Sequence, residues 1–156
     1  MSGHEMSKKA IVAISLLMAC VLPLTACDRV SDTTLKQEFN AKRDQLSRLV
    51  RMSSEDRQMA RISADDPSSA LSTQRLNQYR ALFKEAGIEG GLERRDDFPS
   101  AIFFYVDCSG SAVDRDCKGF AYSEKPLAPL KNKLNLAPGV AFERVSGNWY
   151  LFRDGG

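Results

Sequence analysis

Histidine is almost missing from this chain. His4 is the single one in 156 residues, and it stands in an N-terminal stretch read below as a removable leader. Without imidazole, the remaining chain has no Ser-His-Asp or Cys-His activation of a nucleophile and none of the common His-based zinc sites. A Gly-x-Ser-x-Gly elbow and a Gly-x-x-x-x-Gly-Lys phosphate loop are also missing. An excess of one charge is lacking too. The 22 Lys and Arg nearly balance 20 Asp and Glu, for a net +2. Without residues 1–26, which hold Lys8, Lys9 and Glu5, the balance is 20 against 19. Arg94-Arg95 is followed at once by Asp96-Asp97, which cancels it, and no basic block is interleaved with aromatics. Such a surface does not steer nucleic acid, so no nucleic-acid partner is expected. Long apolar runs are scarce. The longest, Ala10 to Leu24, has 15 residues interrupted by Ser15, Cys20 and Pro23. A permanent spanning helix needs ~20.

What is present begins with that run. Lys8-Lys9, the apolar stretch and the small residues Thr25-Ala26 have the order of a cleaved secretory signal. Leu24-Thr25-Ala26-Cys27 resembles the lipobox of bacterial lipoprotein precursors. The resemblance implies that Cys27 receives a diacylglycerol, that residues 1–26 are removed, and that the new amine is acylated. Two or more acyl chains hold a protein stably at a membrane, where one does so only marginally. Leu17-Met18-Ala19-Cys20 is a poorer match, since cutting there would leave Val21 to Leu24 in the mature chain. Asp28 resembles the signal that retains enteric lipoproteins in the inner membrane, with the outer membrane as the alternative. Met6-Ser7-Lys8-Lys9 also reads as a translation start beside Met1. The expected organisation is a leader at 1–26, a lipidated N-terminus and tether at 27–33, and one domain at 34–156.

The tether leads into a helix over about 34–52. Thr34 is its expected cap, with Gln37 completing a capping box. Leu35, Phe39, Leu46, Leu49 and Val50 recur at helical spacing, and Asp44 and Arg48 are set to pair at i,i+4. Ser53 to Asp56 reads as the cap of a further short turn. Met59 and Ile62 suggest a piece of either type. Residues 63–69 form a loop by turn chemistry. Ser72 caps a second helix whose face is Leu76, Tyr79, Leu82, Phe83 and Ala86, closed by Gly87. Gly90-Gly91 reads as a turn and Glu93 to Asp97 as an exposed charged stretch. From Ala101 the period becomes that of strands. Ala101 to Val106 is apolar on both faces, as a covered central strand is. Lys118 to Ser123, Val140 to Val145 and Trp149 to Arg153 are further strands, the last two joined around Ser146-Gly147-Asn148. The predicted class is α+β: two N-terminal helices packed on an antiparallel sheet of about four strands, with one disulfide. From Phe83 onward, including Gly119 to Ser123 and the Trp149 to Phe152 end, the chain also resembles uncharacterised small bacterial and prophage proteins, a likeness that implies no function.

With Cys20 in the leader and Cys27 lipidated, Cys108 and Cys117 remain. An even pair across a hairpin loop, in an oxidising compartment, reads as a disulfide. Eight residues separate them, which does not fit a Cys-x-x-Cys redox pair, and two thiols do not make a zinc site. The pinned loop offers Ser109, Gly110, Ser111, Asp114, Arg115 and Asp116 as a partner-binding surface. Asp107, Asp114 and Asp116 have the oxygens for calcium, but EF-hand spacing is missing and the solvated-loop reading is preferred. No metal and no cofactor is expected.

The function expected is that of a non-catalytic protein-binding module on the periplasmic side of the membrane, of immunity, exclusion or envelope-accessory type. Its contact would be the Ser109–Asp116 loop or the edge of the C-terminal hairpin. One alternative is a carboxylate-dependent cell-wall or lipid enzyme drawing on Glu85, Glu89, Glu93 and Glu143. The other is a ligand sensor whose pocket is lined by Phe103, Tyr105, Trp149 and Phe152.

Overall fold

Ser31, not Thr34, caps the first helix in the computed structural model. An N-cap needs extended backbone, and Ser31 has it, with φ −75° and ψ 155°. Its Oγ accepts from the Thr34 amide at 3.1 Å, while the Thr34 hydroxyl lies 2.8 Å from Ser31 Oγ inside the first turn. The structure describes residues 29–63, 65, 70–110, 115–128 and 139–155. The leader, Cys27 and Asp28 therefore lie outside the described residues, as do Ser111 and Asp114 of the pinned loop.

Helix α1 (Asp32–Glu55) runs past its expected end and absorbs the Ser53 to Glu55 turn, with Asp56 as C-cap. Leu35, Phe39, Leu46 and Leu49 are buried along it. The i,i+4 pair on its flank is Glu38 with Lys42 at 3.6 Å, in place of Asp44 with Arg48. Strand β1 (Arg61–Ile62) follows, and then helix α2 (Thr73–Ala86). Ser72 accepts from the Arg75 amide at 3.2 Å, and Gly87 takes the left-handed conformation at φ 69°, as expected. Its five expected core residues are all buried.

The remaining strands are β2 (Gly91–Glu93), β3 (Ala101–Ser109), β4 (Asp116–Ser123), β5 (Val140–Ser146) and β6 (Trp149–Gly155). They form an antiparallel sheet of six strands in the order β1-β2-β3-β4-β6-β5. The α+β class and the disulfide hold. The strand number rises from four to six, because β1 and β2 are too short to show a period, and β1 separates the two helices in sequence. Gly91 begins β2 where a turn was expected. A Cβ there would lie 2.2 Å from the Ile62 carbonyl oxygen at φ +80°, so this close approach of β1 requires glycine.

Both faces of β3 are covered. Ile102 and Phe104 face the helices with Phe120, Trp149 and Leu151, and Phe39 meets them with its ring 5.9 Å from Phe120 and 5.6 Å from Trp149. On the other face Phe103, Tyr105, Ala121, Tyr150 and Phe152 pack with Phe98, while Leu127 and Phe142 lean on them. A β-bulge interrupts β3. Tyr105 pairs with Gly119, and the next pair is Asp107 with Lys118, which leaves Val106 without a partner. The bulge absorbs this extra residue, so that Cys108 and Cys117 stand directly opposite each other.

Two buried phenols couple this core to pH. The Tyr79 hydroxyl donates to Asp56 and that of Tyr105 to Glu93, each at 2.7 Å. Burial first, and then the hydrogen bond to a carboxylate, pushes both phenols well above their usual range. In the unfolded chain they ionise near pH ~10. The stability they contribute is whole below that pH and is lost as pH rises towards the folded values. Denaturation midpoints should therefore fall above pH ~10. The fall should flatten in the Tyr79→Phe, Tyr105→Phe double variant. An unchanged slope in that variant would assign the alkaline loss to other groups.

Candidate functional site

Residues of the expected tether bind the disulfide end of the sheet. Arg29 gives one guanidinium nitrogen to the Asp116 carboxylate and the other to Ser109 Oγ at 2.8 Å. The Val30 carbonyl accepts from Lys118 Nζ at 3.3 Å. Asp32 takes Arg153 in a two-pronged pair, with the Nε contact at 3.2 Å, and Lys118 at 4.0 Å. One helical turn later Lys36 meets Glu143 at 2.6 Å. Exposed pairs are individually worth only ~0.2–1 kcal/mol. Here they are grouped on β4, β5 and β6 and act together on one short segment, so they set where the chain enters the domain.

Beside them Cys108 and Cys117 are joined as a disulfide. Closing so short a loop contributes about 2–3 kcal/mol by chain entropy. Of the expected partner loop, Ser109 and Asp116 are engaged by Arg29, and Arg115 lies with its guanidinium 5.6 Å from the Tyr105 ring centre. Gly110 is exposed, at φ 97°. Asp116 of the calcium alternative is thus paired with Arg29, and no group of three or more metal-binding side chains occurs among the described residues.

Of the alternative sites, the Glu93–Glu143 pair and the aromatic pocket do not assemble. Glu93 and Glu143 stand on β2 and β5 with β3, β4 and β6 between them, about 19 Å at the usual strand spacing. A glycosidase pair requires roughly 5–9.5 Å. Glu93 accepts the Tyr105 hydroxyl, and Glu143 is paired with Lys36. The four proposed pocket aromatics divide between the two faces of the sheet. Trp149 belongs to the helix-side core, and Phe103, Tyr105 and Phe152 to the other. Phe103 and Tyr105 each meet Phe152 edge-on, at 5.1 and 5.3 Å.

A different site lies at the opposite end of the sheet. A cleft of about 360 Å³ opens between the end of α1 and the strand ends, lined by Ser54, Arg57, Arg94, Ser100, Tyr122 and Lys125, among others. Sequence adjacency had assigned Arg94 and Arg95 to neutralisation by Asp96-Asp97. Arg95 does pair with Asp97, at 2.7 Å, and with Asp154. Arg94 turns the other way. Its Nη2 donates to the Ser53 carbonyl at 2.6 Å and to Ser53 Oγ at 3.3 Å, and its Nε is buried without a partner among the described residues. Burial, and secondly the Arg57 charge, pull its pKa below the ordinary arginine value. The signal that could have found it is the strand-like alternation of Glu93, Arg94 and Arg95, which sends neighbours to opposite faces.

Smaller clefts, of about 250 and 320 Å³, occur beside Asp32, Phe142 and Arg153, and between the helices around Met52 and Leu82. No family model matches the chain, and no curated protein or solved structure matches it.

Proposed function

We propose that this protein is a lipoprotein, anchored through Cys27 to the periplasmic face of the inner membrane and retained there by Asp28, and that it acts as a non-catalytic protein-binding module. The observation that carries the reading is the docking of Arg29, Val30 and Asp32 on the disulfide end of the sheet. Two residue steps separate Cys27 from Arg29, and an extended chain covers only about 7 Å in that distance. A lipid on Cys27 would therefore hold the Ser109–Asp116 loop against the headgroups. Helix α1 then leads away from the bilayer for 24 residues, about 36 Å. The pole carrying Arg57, Arg94 and Lys125 is the one presented to the periplasm. In this orientation the partner surface is that pole, and the pinned loop is a spacer at the membrane.

A photo-crosslinking side chain at Glu124, exposed beside the cleft, is expected to capture one stoichiometric protein from intact membranes. The same group at Arg115, exposed at the pinned loop, is expected to capture none. Capture only from Arg115, or no capture from either in cells and in several detergents, would refute the module or its orientation.

A further inference from the structure

We infer that the Arg94 cleft is a carboxylate-binding site that receives an acidic group of a polypeptide partner. The inference rests on the module reading above. Three arginines are packed partly into the described domain: Arg75, Arg94 and Arg95. Arg75 is held by Glu55 and Asp56 at 2.7 and 2.8 Å, and Arg95 by Asp97 and Asp154. Arg94 alone has no carboxylate among the described residues. A cation withdrawn from water without a counter-ion destabilises the fold, and the protein has satisfied only part of this one, through Ser53.

The surroundings add to the demand for an anion. Arg57 and Lys125 line the same cleft, with Glu124 as its one acid, and none of the three is ion-paired among the described residues. Arg57 is held in place, its Nε donating to the Ser54 carbonyl at 3.2 Å. Arg94 keeps Nη1 uncommitted among the described residues, and the buried unpartnered atom is Nε, not Nη1. That nitrogen is the donor for a ligand oxygen, with the Arg57 and Lys125 charges beside it. Charge-assisted bonds of this kind are the strong class of hydrogen bond. Ile102, Pro99 and the Tyr122 ring supply an apolar wall, which suits the carbon skeleton of an acidic side chain or a chain terminus better than a bare phosphate.

The test uses the full lipoprotein in detergent, titrated calorimetrically and by the Arg94 side-chain NMR signal. The probes are a short blocked peptide with one glutamate, the same peptide with glutamine, a glutamate-free peptide with a free C-terminal carboxylate, and inorganic phosphate. At least one carboxylate peptide should bind with a Kd of ~1 mM or tighter. The tighter of the two identifies side chain or terminus as the source. The glutamine peptide should leave the Arg94 signal in place. Arg94→Gln should weaken binding by about tenfold or more. Arg57→Ala, on an exposed residue whose loss leaves the core intact, should weaken it about threefold. Equal binding of the glutamine peptide, tighter binding of phosphate than of either carboxylate, or indifference to both variants would overturn the inference. If Glu124 crosslinks persist while no peptide binds, the carboxylate site fails and the module stands. If peptides bind but nothing is captured, the module fails and the site stands.

Discussion

Phe39→Ala is expected to destabilise the fold by about 3–5 kcal/mol, the largest effect of any single truncation proposed for this protein. The ring is fully buried and joins α1 to the sheet, touching Phe120 on β4 and Trp149 on β6 at 5.9 and 5.6 Å. Trp149 in turn meets Phe104 and Tyr122, so one cavity would loosen a continuous group of rings. A domain of this size has only ~5–15 kcal/mol in total. The check is the urea midpoint with the slope m held constant. Phe39→Leu, which keeps most of the volume, should lose much less. A loss below ~1 kcal/mol for the alanine variant would mean that α1 is secured by its salt bridges and not by this ring.

Cys27→Ala is expected to act on the whole population. The wild-type mature chain should begin at an acylated Cys27 by mass spectrometry. The variant should retain residues 1–26 and incorporate no radiolabelled palmitate. Cys20→Ala should leave both readouts untouched, which separates the two candidate cysteines. The physical reason for so complete an effect is that, in the lipobox reading, the Cys27 thiol is the acceptor of the diacylglycerol and marks the cut, and the anchor depends on several acyl chains together, each buried CH₂ contributing ~0.8 kcal/mol. No described helix is long and apolar enough to cross a membrane. An unmodified Cys27 at a wild-type N-terminus would remove the anchor, and with it the orientation proposed above.

The sequence was most legible where local chemistry decides the structure. Ser72 and Gly87 bound α2 as their residue types demand, and the apolar run Ala101 to Val106 became a strand covered on both sides. It was less legible at the start of α1. Thr34 suits an N-cap by residue type, but the extended backbone lies three residues earlier, at Ser31, which caps instead. Strands of two and three residues have too little length for a period, so β1 and β2 come from pairing alone. The proposed aromatic pocket combined Trp149 with Phe152, three residues apart, which a strand places on opposite faces. Arg94 was hidden for the same reason. Its charge is next to Asp96-Asp97 in the chain, but the carboxylate of Asp97 goes to Arg95 on the far side. The disulfide was legible because the two thiols needed only a hairpin to meet.

That hairpin is tolerant of a change in length at one position. Val106 has no partner on β4, yet its side chain is buried on the helix side. A chain lacking Val106 would pair Tyr105 with Gly119, Asp107 with Lys118 and Cys108 with Cys117 in one unbroken ladder, losing a single apolar side chain. A chain with one more residue there would need a second bulge or would carry Cys108 past its partner. In a lineage of this fold, single deletions in β3 would therefore survive at Val106, while insertions would be carried only by chains that have gained a second bulge or given up the disulfide.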